Sequence, residues 1–508
     1  MEAGFDALQL VTENTESVRN ALAKGRIEYV QLPQLSRYMP VIVISERDVS
    51  RALDALTPLL RHAGWELEIR GRSDLPLTPA AARTWPAEVR KLKLLRNVTS
   101  PNGTTLSSQF EAVTLEPWKV VKDNVKRPDG ETFTPGTLRR KIRKRSTTIE
   151  YITPNQWRKG IDNSGSQIKW SSPHIFAVND PIDVVYTWVD GSDPKWTDEK
   201  AQASEGLESA KLNRTSVSPS RFKSRDELRY SLRSLEYYAS WVNHVYIVTD
   251  GQTPEWLNLR HPKVSIVDHR EIFSDETALP VFNSHAIESQ LHHIPGLTEK
   301  YLYLNDDVFF MRPVEPSLFF TSNGLAKFFL SKAPIDLDEP SPDDLPVLSA
   351  AKQNRRFLEE NFGTVITHRF KHTPHSQLKS VLESFEGQYP DIFSRLMNSK
   401  FRSPSDLSVA SSLIHYFAYL QGRAIEGNIK YSFADAADPD LSLKLSRRRR
   451  DRTLDVFCLN DLDSEEDRNA DAVIDDFLLS CFPVPSSFEK LEEPLSQHGS
   501  AANLKREE

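Results

Sequence analysis

The sequence has few cysteines, no long apolar run and no excess of positive charge. Only two cysteines, Cys458 and Cys481, occur among its 508 residues, so a disulfide framework is excluded. No stretch of about 18 uninterrupted apolar residues is present, which argues against a membrane-spanning helix. With a formal net charge of -7, the chain lacks the excess of basic residues typical of a nucleic-acid-binding domain. We therefore expect no nucleic-acid partner.

The first twenty residues also lack the basic and continuous apolar regions of a secretory signal peptide. Together with the low cysteine content, this predicts a cytoplasmic protein. The glycosylation sequons at Asn97, Asn102 and Asn213 are then chance matches. Peripheral contact with the inner face of the plasma membrane and homo-oligomerisation are left open.

The composition that remains is typical of folded domains, with 39% hydrophobic and 27% charged residues. A chain of this length predicts two or three domains. We expect a small N-terminal accessory α/β domain over residues 1–110 and a connector rich in Thr, Ser, Pro and basic residues over 111–178. A main domain over 179–488, with a helical part at about 325–436, precedes a flexible tail over 489–508.

Within the main domain, short apolar runs alternate with helical patterns. The strand-like runs are IDVVYTWV (182–189), HVYIVTDG (244–251), KVSIVDH (263–269) and YLYLNDD (301–307). Helical spacing of apolar residues occurs between the first two runs and again from Ser284 through Leu291. This alternation predicts an α/β, Rossmann-like domain with a mainly parallel sheet and right-handed crossovers.

Three of these runs end in polar or acidic residues, namely Asp190, Asp250 and the segment 305–307. Ligands of open α/β sheets bind at the carboxyl ends of strands, so we expect these ends to face one crevice. Adjacent carboxylates such as Asp306 and Asp307 suit Mg²⁺ or Mn²⁺. Asp pairs also close strands as ordinary turns, and both interpretations stay open from the residues alone.

Further along the chain, His372 and His375 in KHTPHSQ have the spacing of a transition-metal pair, and either could serve as a base or a phosphate ligand. A polar loop is the simpler interpretation. Arg402 precedes Asp406, at which a helix is predicted to begin, and offers a planar fork to a phosphate or to a nearby carboxylate.

Two other residues have both a functional and a structural interpretation. Glu288 lies on a predicted amphipathic helix, where it could face solvent or a ligand. Trp188 could stack on a base or pack in the core.

The arginine run 447–450 is either a solvated loop or a binding surface for anionic lipid or polymer. The acidic block near Asp461 lacks the glycine of an EF-hand, so we reject a calcium site there.

The order of these segments is more specific than any one of them, and it resembles the Stealth family of sugar-phosphate transferases. Four blocks carry the resemblance, over about residues 180–488. They are IDVVYTWVDGSDP; RFKSRDELRYSLRSLEYYASWVNHVYIVTDGQTPEWLN with LPVFNSHAIESQLHHIPGL and KYLYLNDDVFF; HTPHSQL with FRSPSDLSVASSLIHYF; and FCLNDLDSEEDRNADAVIDDFLLSCFP.

This resemblance implies a glycosyltransferase-A-like sheet and transfer of hexose- or N-acetylhexosamine-1-phosphate. The donor would be a UDP-sugar, the acceptor a hydroxyl of an oligosaccharide or polysaccharide, and the released nucleotide UMP, in capsule or exopolysaccharide synthesis. The alternatives are a metal-dependent glycosyltransferase that releases UDP and a non-catalytic polysaccharide-assembly protein. Which sugar is transferred stays open.

The resemblance also implies roles for individual residues. The implied catalytic residues are Glu288, Asp307, His372 and Arg402, with either Glu288 or His372 as general base. The implied substrate-binding residues are Asp183, Trp188, Asp190, Arg221, Asn305, His375 and Asp406. Asp306 and Asp307 would hold Mg²⁺ or Mn²⁺.

Overall fold

Two sheets organise the chain. The computed structural model describes residues 4–126, 130, 132–142, 148–205, 222, 224–449, 453–460 and 468–490. The first sheet belongs to the N-terminal unit and the second to the unit that follows Asn179. The N-terminal sheet has hydrophobic clusters of its own, and residues of the first helix and nearby loops join the core of the second unit.

The N-terminal unit consists of a mixed sheet with helices packed on it. Its elements are α1 (Ala7–Lys24), β1 (Tyr29–Gln31), β2 (Val41–Ser45), α2 (Val49–Leu60), β3 (Trp65–Arg70), α3 (Pro79–Thr84), β4 (Lys91–Arg96), β5 (Val113–Val120), β6 (Val125–Lys126), β7 (Thr132–Phe133), β8 (Leu138–Arg139), β9 (Tyr151–Ile152) and α4 (Pro154–Asp162). Helix α1 begins where the Asp6 carboxylate accepts a hydrogen bond from the Leu8 amide at 2.7 Å. It buries Val11, Val18 and Leu22 at helical spacing.

Strand β5 occupies the middle of this sheet, whose order is β1-β2-β5-β4-β3. It pairs in parallel with β2 and antiparallel with β4. At the carboxyl end of β5, β8 pairs with β5 and β9 pairs with β8. The predicted boundary at residue 110 therefore falls in front of a central strand. Residues 113–152 contribute strands to the accessory unit, which corrects their assignment to a connector.

The second unit contains the elements that carry the predicted site residues. They are β10 (Ile182–Thr187), α5 (Pro194–Ser204), α6 (Glu227–Ala239), β11 (Val245–Thr249), β12 (Val264–Asp268), α7 (His269–Ile272), α8 (Ser284–Gln290), β13 (Lys300–Asn305), β14 (Val308–Phe310), β15 (Ala326–Phe328), β16 (Leu330–Pro334), α9 (Pro346–Phe362), β17 (His368–Phe370), β18 (His375–Leu378), α10 (Lys379–Gln388), α11 (Pro390–Met397), α12 (Ile414–Leu420), β19 (Ala424–Glu426), β20 (Tyr431–Asp435), α13 (Leu441–Arg449), β21 (Val456–Asn460) and α14 (Arg468–Cys481).

The main sheet has the order β12-β11-β10-β13-β18. Its first four strands are parallel and β18 is antiparallel at the edge. Val184, Val185 and Tyr186 are all buried, as expected for a parallel strand covered on both faces. This strand order confirms the predicted Rossmann-like, mainly parallel α/β sheet.

The region at about 325–436 contains the predicted helices together with short strands. One continuous helical pattern is divided into α10 and α11 because Pro390 has no amide hydrogen to continue the ladder. Asp406 lies in the loop that precedes a π-helical turn at Val409–Leu413. The sequence predicted that Asp406 opens a helix, and this prediction is wrong.

The chain's last described segment is bound to the main unit. Glu489 is 3% exposed and forms a buried ion pair with Arg233 at 2.7 Å. The predicted flexible tail therefore starts too early, and its residues 491–508 lie outside the described part of the chain. None of the helices among the described residues is both long and apolar enough to cross a bilayer.

Candidate active site

The carboxyl ends of β10 and β13 lie side by side where the strand order of the main sheet reverses, which is where open α/β sheets bind ligands. Thr187 and Asn305 are register partners at these ends. The Thr187 hydroxyl lies 3.2 Å from the hydroxyl of Tyr303, which donates to Asn305 Oδ1 at 2.8 Å. These contacts fix the last residue of β13, after which the chain presents Asp306 and Asp307.

His372 approaches this point from the loop before β18. Its Nε2 atom lies 2.9 Å from Asn305 Nδ2 and 3.4 Å from Asp307 Oδ1. Burial opposes the charged imidazole, but the carboxylates of Asp307 and Glu288 outweigh it and raise the pKa of His372 above its ordinary value. The ring is thus suited to face an anionic ligand.

Glu288 and Arg402 form the other side of the group. Glu288 is buried on α8 and accepts a hydrogen bond from the Ser411 hydroxyl. Arg402 donates from Nη2 to Ser284 Oγ at 2.5 Å. Burial raises the pKa of Glu288, against the opposing effects of Ser411 and Arg402, and burial lowers the pKa of Arg402. Both shifts are those expected of charges removed from water.

The structure brings the four implied catalytic residues together. The charge of His372 interacts with those of Asp307, Glu288 and Arg402, and Glu288 interacts with Arg402. They come from α8, the β13–β14 turn and two separate loops. Two carboxylates, an imidazole and a guanidinium therefore lie near one another at the end of β13.

A cluster of carboxylates at the same place fits a divalent cation. Asp307 Oδ1 is buried and accepts no hydrogen bond from the described part of the chain. Burial and the charges of Glu227 and Asp307 raise the pKa of Asp306 well above its usual range. Burial also raises the pKa of Glu227 to about 7. Carboxylates this close together are ligands of the kind that divalent cations take, and Asp307 also forms a group of potential metal ligands with His372 and Cys458.

Sequence reasoning missed Glu227 and Cys458. Glu227 opens α6, whose helical pattern was recognised without regard to this acid. Cys458 lies on β21, which pairs with β14, and its thiol donates to Asp307 Oδ2 at 3.5 Å. Burial and the nearby Asp307 raise the pKa of this thiol well above its ordinary value. Only the distant strand pairing reveals Cys458, because no local pattern connects it to Asp307.

Asp183 is not part of this group, contrary to its implied substrate-binding role. It is fully buried near the amino end of β10, about 16 Å of strand from Trp188 at roughly 3.3 Å per residue. Its two oxygens accept hydrogen bonds from Asn243 Nδ2 at 2.8 Å and from the Thr298 amide at 2.9 Å. Asp183 thus ties together the loops that lead into β11 and β13.

Asp406 and His375 contact residues next to the site and hold them in place. Asp406 accepts hydrogen bonds from Asn283 at 2.8 Å and from the Ser403 amide at 3.0 Å, which fixes the loop that carries Arg402. His375 contacts His415 at 3.2 Å and stacks on Tyr303. Its partners therefore differ from those of His372, and the two histidines do not form a metal pair.

The remaining predicted substrate-binding residues lie around the end of β10 or outside the described chain. Trp188 is half-buried against the core, and its amide donates to the Val248 carbonyl at 3.0 Å. Asp190 is held by Gln252, which accepts from its amide at 2.9 Å. Asp250 instead lies 3.9 Å from His269. The side chains at the three strand ends therefore do not all belong to one group. Arg221 lies outside the described residues.

The sheet and the acid–histidine–arginine group define an α/β protein of Rossmann type with a polar site at its switch point. Four segments match the conserved regions of Stealth proteins: region 1 at 180–208, region 2 at 221–328, region 3 at 371–419 and region 4 at 447–498. The chain therefore has all four regions in order.

Relatives match over nearly the whole length. Exopolysaccharide phosphotransferase SCO6023 from Streptomyces coelicolor is 39% identical over 503 residues, covering 96% of this chain and 83% of that protein. Exopolysaccharide phosphotransferase CpsY from Mycobacterium tuberculosis is 33% identical over 508 residues, covering 99% and 92%. The chain belongs to the Stealth family, which confirms the resemblance found in its sequence.

Among solved structures, a galactosyltransferase, LgtC in complex with donor and acceptor sugar analogs, matches 60% of this chain and 96% of its own. The sequence identity is 12% and the TM-score 0.31. At that score the match adds nothing to the fold assignment, which rests on the strand order of the main sheet.

Proposed function

We propose that the protein transfers hexose- or N-acetylhexosamine-1-phosphate from a UDP-sugar to a hydroxyl of an oligosaccharide or polysaccharide acceptor. The observation that carries this proposal is the convergence of Glu288, Asp307, His372 and Arg402 at the switch point. The names of its Stealth relatives, exopolysaccharide phosphotransferases, support the same reaction class.

In this reaction an acceptor oxygen attacks the β-phosphorus of the donor. The bond between that phosphorus and the oxygen bridging to the α-phosphate breaks, and UMP leaves with the bridging oxygen. The acceptor's proton passes to Glu288 or His372. The sugar stays attached to its phosphate, so the product is a phosphodiester.

Arg402 supplies positive charge and hydrogen-bond donors to the transferred phosphate, and His372 does the same where Glu288 is the base. The Arg402 fork is held at one end by Ser284, which leaves further guanidinium donors for phosphate oxygens. Asn305 orients His372 through the 2.9 Å contact. Donors fixed in this way before the reaction stabilise charge that develops during transfer.

Asp306 and Asp307 would hold Mg²⁺ or Mn²⁺, which when bound neutralises negative charge on a diphosphate. Glu288, His372 and Arg402 act directly on the donor and the acceptor. Trp188, which directly follows β10, would contact the nucleotide.

The test is to incubate purified protein with a panel of UDP-sugars, Mg²⁺ and capsule-type oligosaccharides, and to identify the nucleotide and the phosphorus-containing product. We expect UMP and a sugar linked through phosphate. Glu288→Gln should abolish product, whereas Glu360→Gln, an exposed residue on α9, should not. Release of UDP would indicate a glycosyltransferase, and donor binding without any turnover a non-catalytic assembly protein; either result contradicts the proposal.

A further inference from the structure

Two adjacent histidines and a glutamate meet outside the group assigned to the diphosphate. His292 and His293 lie in the 3-10 turn that directly follows α8, and Glu386 lies on α10. Glu386 Oε2 is 2.7 Å from His292 Nε2 and 2.8 Å from His293 Nε2. Three atoms of ligand type from two elements thus converge on one point.

These three donors match the ligand set of a transition-metal site. Two imidazole nitrogens and one carboxylate oxygen bind zinc in many proteins, with a water as fourth ligand. Ligand atoms about 2.1 Å from a tetrahedral zinc ion are roughly 3.4 Å apart. The observed separations would therefore need to open by only about 0.6 Å to admit the ion, a movement within reach of side-chain rotation.

The hydrogen bond on the far side of His293 prepares that ring for a metal. Its Nδ1 atom lies 2.9 Å from the carbonyl oxygen of Ile272, which can only accept, so Nδ1 carries a hydrogen. Nε2 faces the Glu386 carboxylate, which raises the pKa of His293 and so favours positive charge between the two atoms. A cation between the two atoms would satisfy both, and such an outer contact is usual for metal-binding histidines.

The surroundings leave one side of the cluster open. The His292 side chain is fully buried, and the side chains of His293 and Glu386 are each 28% exposed. Phe393 packs its edge against the His292 ring at 5.8 Å. His292 Nδ1 has no hydrogen-bond partner among the described residues, so the outer hydrogen bond comes from His293 alone. An ion could enter from the exposed side and keep a water there.

We propose that His292, His293 and Glu386 form a zinc site separate from the carboxylates of Asp306 and Asp307. Nitrogen donors favour zinc over the hard cations Mg²⁺ and Ca²⁺. The ion would link the turn after α8 to α10. Since Glu288 lies on α8, the site would also fix the helix that carries this residue. The zinc site does not depend on the reaction proposed above.

The first test is the zinc content of the full chain after chelator treatment and equilibrium dialysis against zinc sulfate. We expect about one zinc ion per chain in the wild type, and its loss in His293→Gln and Glu386→Gln. Glu383→Gln, an exposed neighbour on α10, should retain it. Cys458→Ser should also retain it, because Asp307, His372 and Cys458 form the other cluster of ligand type among the described residues.

A wild type that binds no zinc, or equal zinc content in the wild type and in folded Glu386→Gln, would overturn the proposal, as would zinc lost in Cys458→Ser alone. A spectrum of the Co²⁺-substituted wild type covers the case in which the variants do not fold. Four-coordinate cobalt bands without a thiolate charge-transfer band are expected. A thiolate band, or no four-coordinate cobalt at all, contradicts the site.

Discussion

At the scale of single residues, the charged groups of the site are held by neutral partners. A serine hydroxyl contacts Arg402, another contacts Glu288, and an amide contacts His372. Neutral partners fix a side chain in place without cancelling its charge, so these groups keep their electrostatic strength for a ligand. The site also contains a contact between opposite charges, from His372 Nε2 to Asp307 Oδ1 at 3.4 Å. The closer pair of Arg233 and Glu489 lies away from the site.

Arg402→Lys tests whether the planar fork matters beyond its charge. Lysine keeps one positive charge but cannot make two parallel hydrogen bonds to a phosphate. We expect kcat for sugar-phosphate transfer to fall about 10²- to 10³-fold, with an unchanged midpoint of urea unfolding. Arg395→Lys, exposed on α11, is the control. A rate within about threefold of wild type would remove Arg402 from the reaction.

His269 predicts a loss of stability in mild acid. Burial lowers its pKa to about 4, against the opposing charge of Asp268, whereas the unfolded ring titrates near 6.5. Unfolded chains therefore bind a proton that the folded protein rejects, and stability falls as the pH drops from about 6.5 towards 4. His269→Gln should reduce the wild type's loss between pH 6.5 and 5 by about 2 kcal/mol.

The measurement is urea unfolding at both pH values, with His368→Gln, an exposed histidine, as control. If His269→Gln and the wild type lose the same free energy of unfolding, His269 is not the group that titrates.

At the scale of elements, the sequence predicted those strands whose signal is local. Strands β10 to β13 are continuous apolar runs because both faces of a parallel sheet are buried, and their parallel direction was predicted from their alternation with helices. Strand β5 was missed because it lies beside a segment rich in Ser, Thr and Pro, where composition outweighed its own pattern. The β14–β21 pairing that brings Cys458 to Asp307 joins segments about 150 residues apart. No local pattern records such a contact.

The clamp between α6 and the C-terminal segment predicts a large stability effect. Arg233 donates to Glu489 and to the Phe482 carbonyl, and the Arg233 and Glu489 side chains are 5% and 1% exposed. Glu489→Gln would leave a buried guanidinium without its counter-charge, which we expect to cost about 3 to 5 kcal/mol. Urea unfolding measures this, with exposed Glu276→Gln as control. A loss below about 1 kcal/mol would mean that Arg233 finds another partner or water.

At the scale of the whole molecule, the N-terminal unit is bound to the back of the main unit. Phe5 packs its edge against Tyr237 at 5.1 Å, and Ser240 donates to Asp6 at 2.8 Å. Glu315 accepts from the Ser36 hydroxyl at 2.9 Å and from the Arg37 amide at 2.7 Å. Apolar and polar contacts thus both join the two units. We therefore expect the two units to unfold together.

The double substitution Phe5→Ala and Glu315→Ala should weaken this coupling. Removing a buried phenyl ring commonly costs about 3 to 5 kcal/mol, and the lost carboxylate leaves Ser36 and Arg37 without their acceptor. Calorimetry of the wild type should show one transition, and that of the variant a separate, earlier one. A single unshifted transition in the variant would contradict the coupling. Phe433→Ala, at an exposed position, is the control.

The arrangement of the site along the chain has a consequence for biosynthesis. Glu288, Asp307, His372 and Arg402 are spread over 115 positions of the polypeptide, and the strand that backs Asp307 follows later, at Val456–Asn460. A growing chain on the ribosome cannot assemble these parts until the strand at Val456–Asn460 has emerged. Shortened translation products should therefore be inert towards the cell's activated sugars.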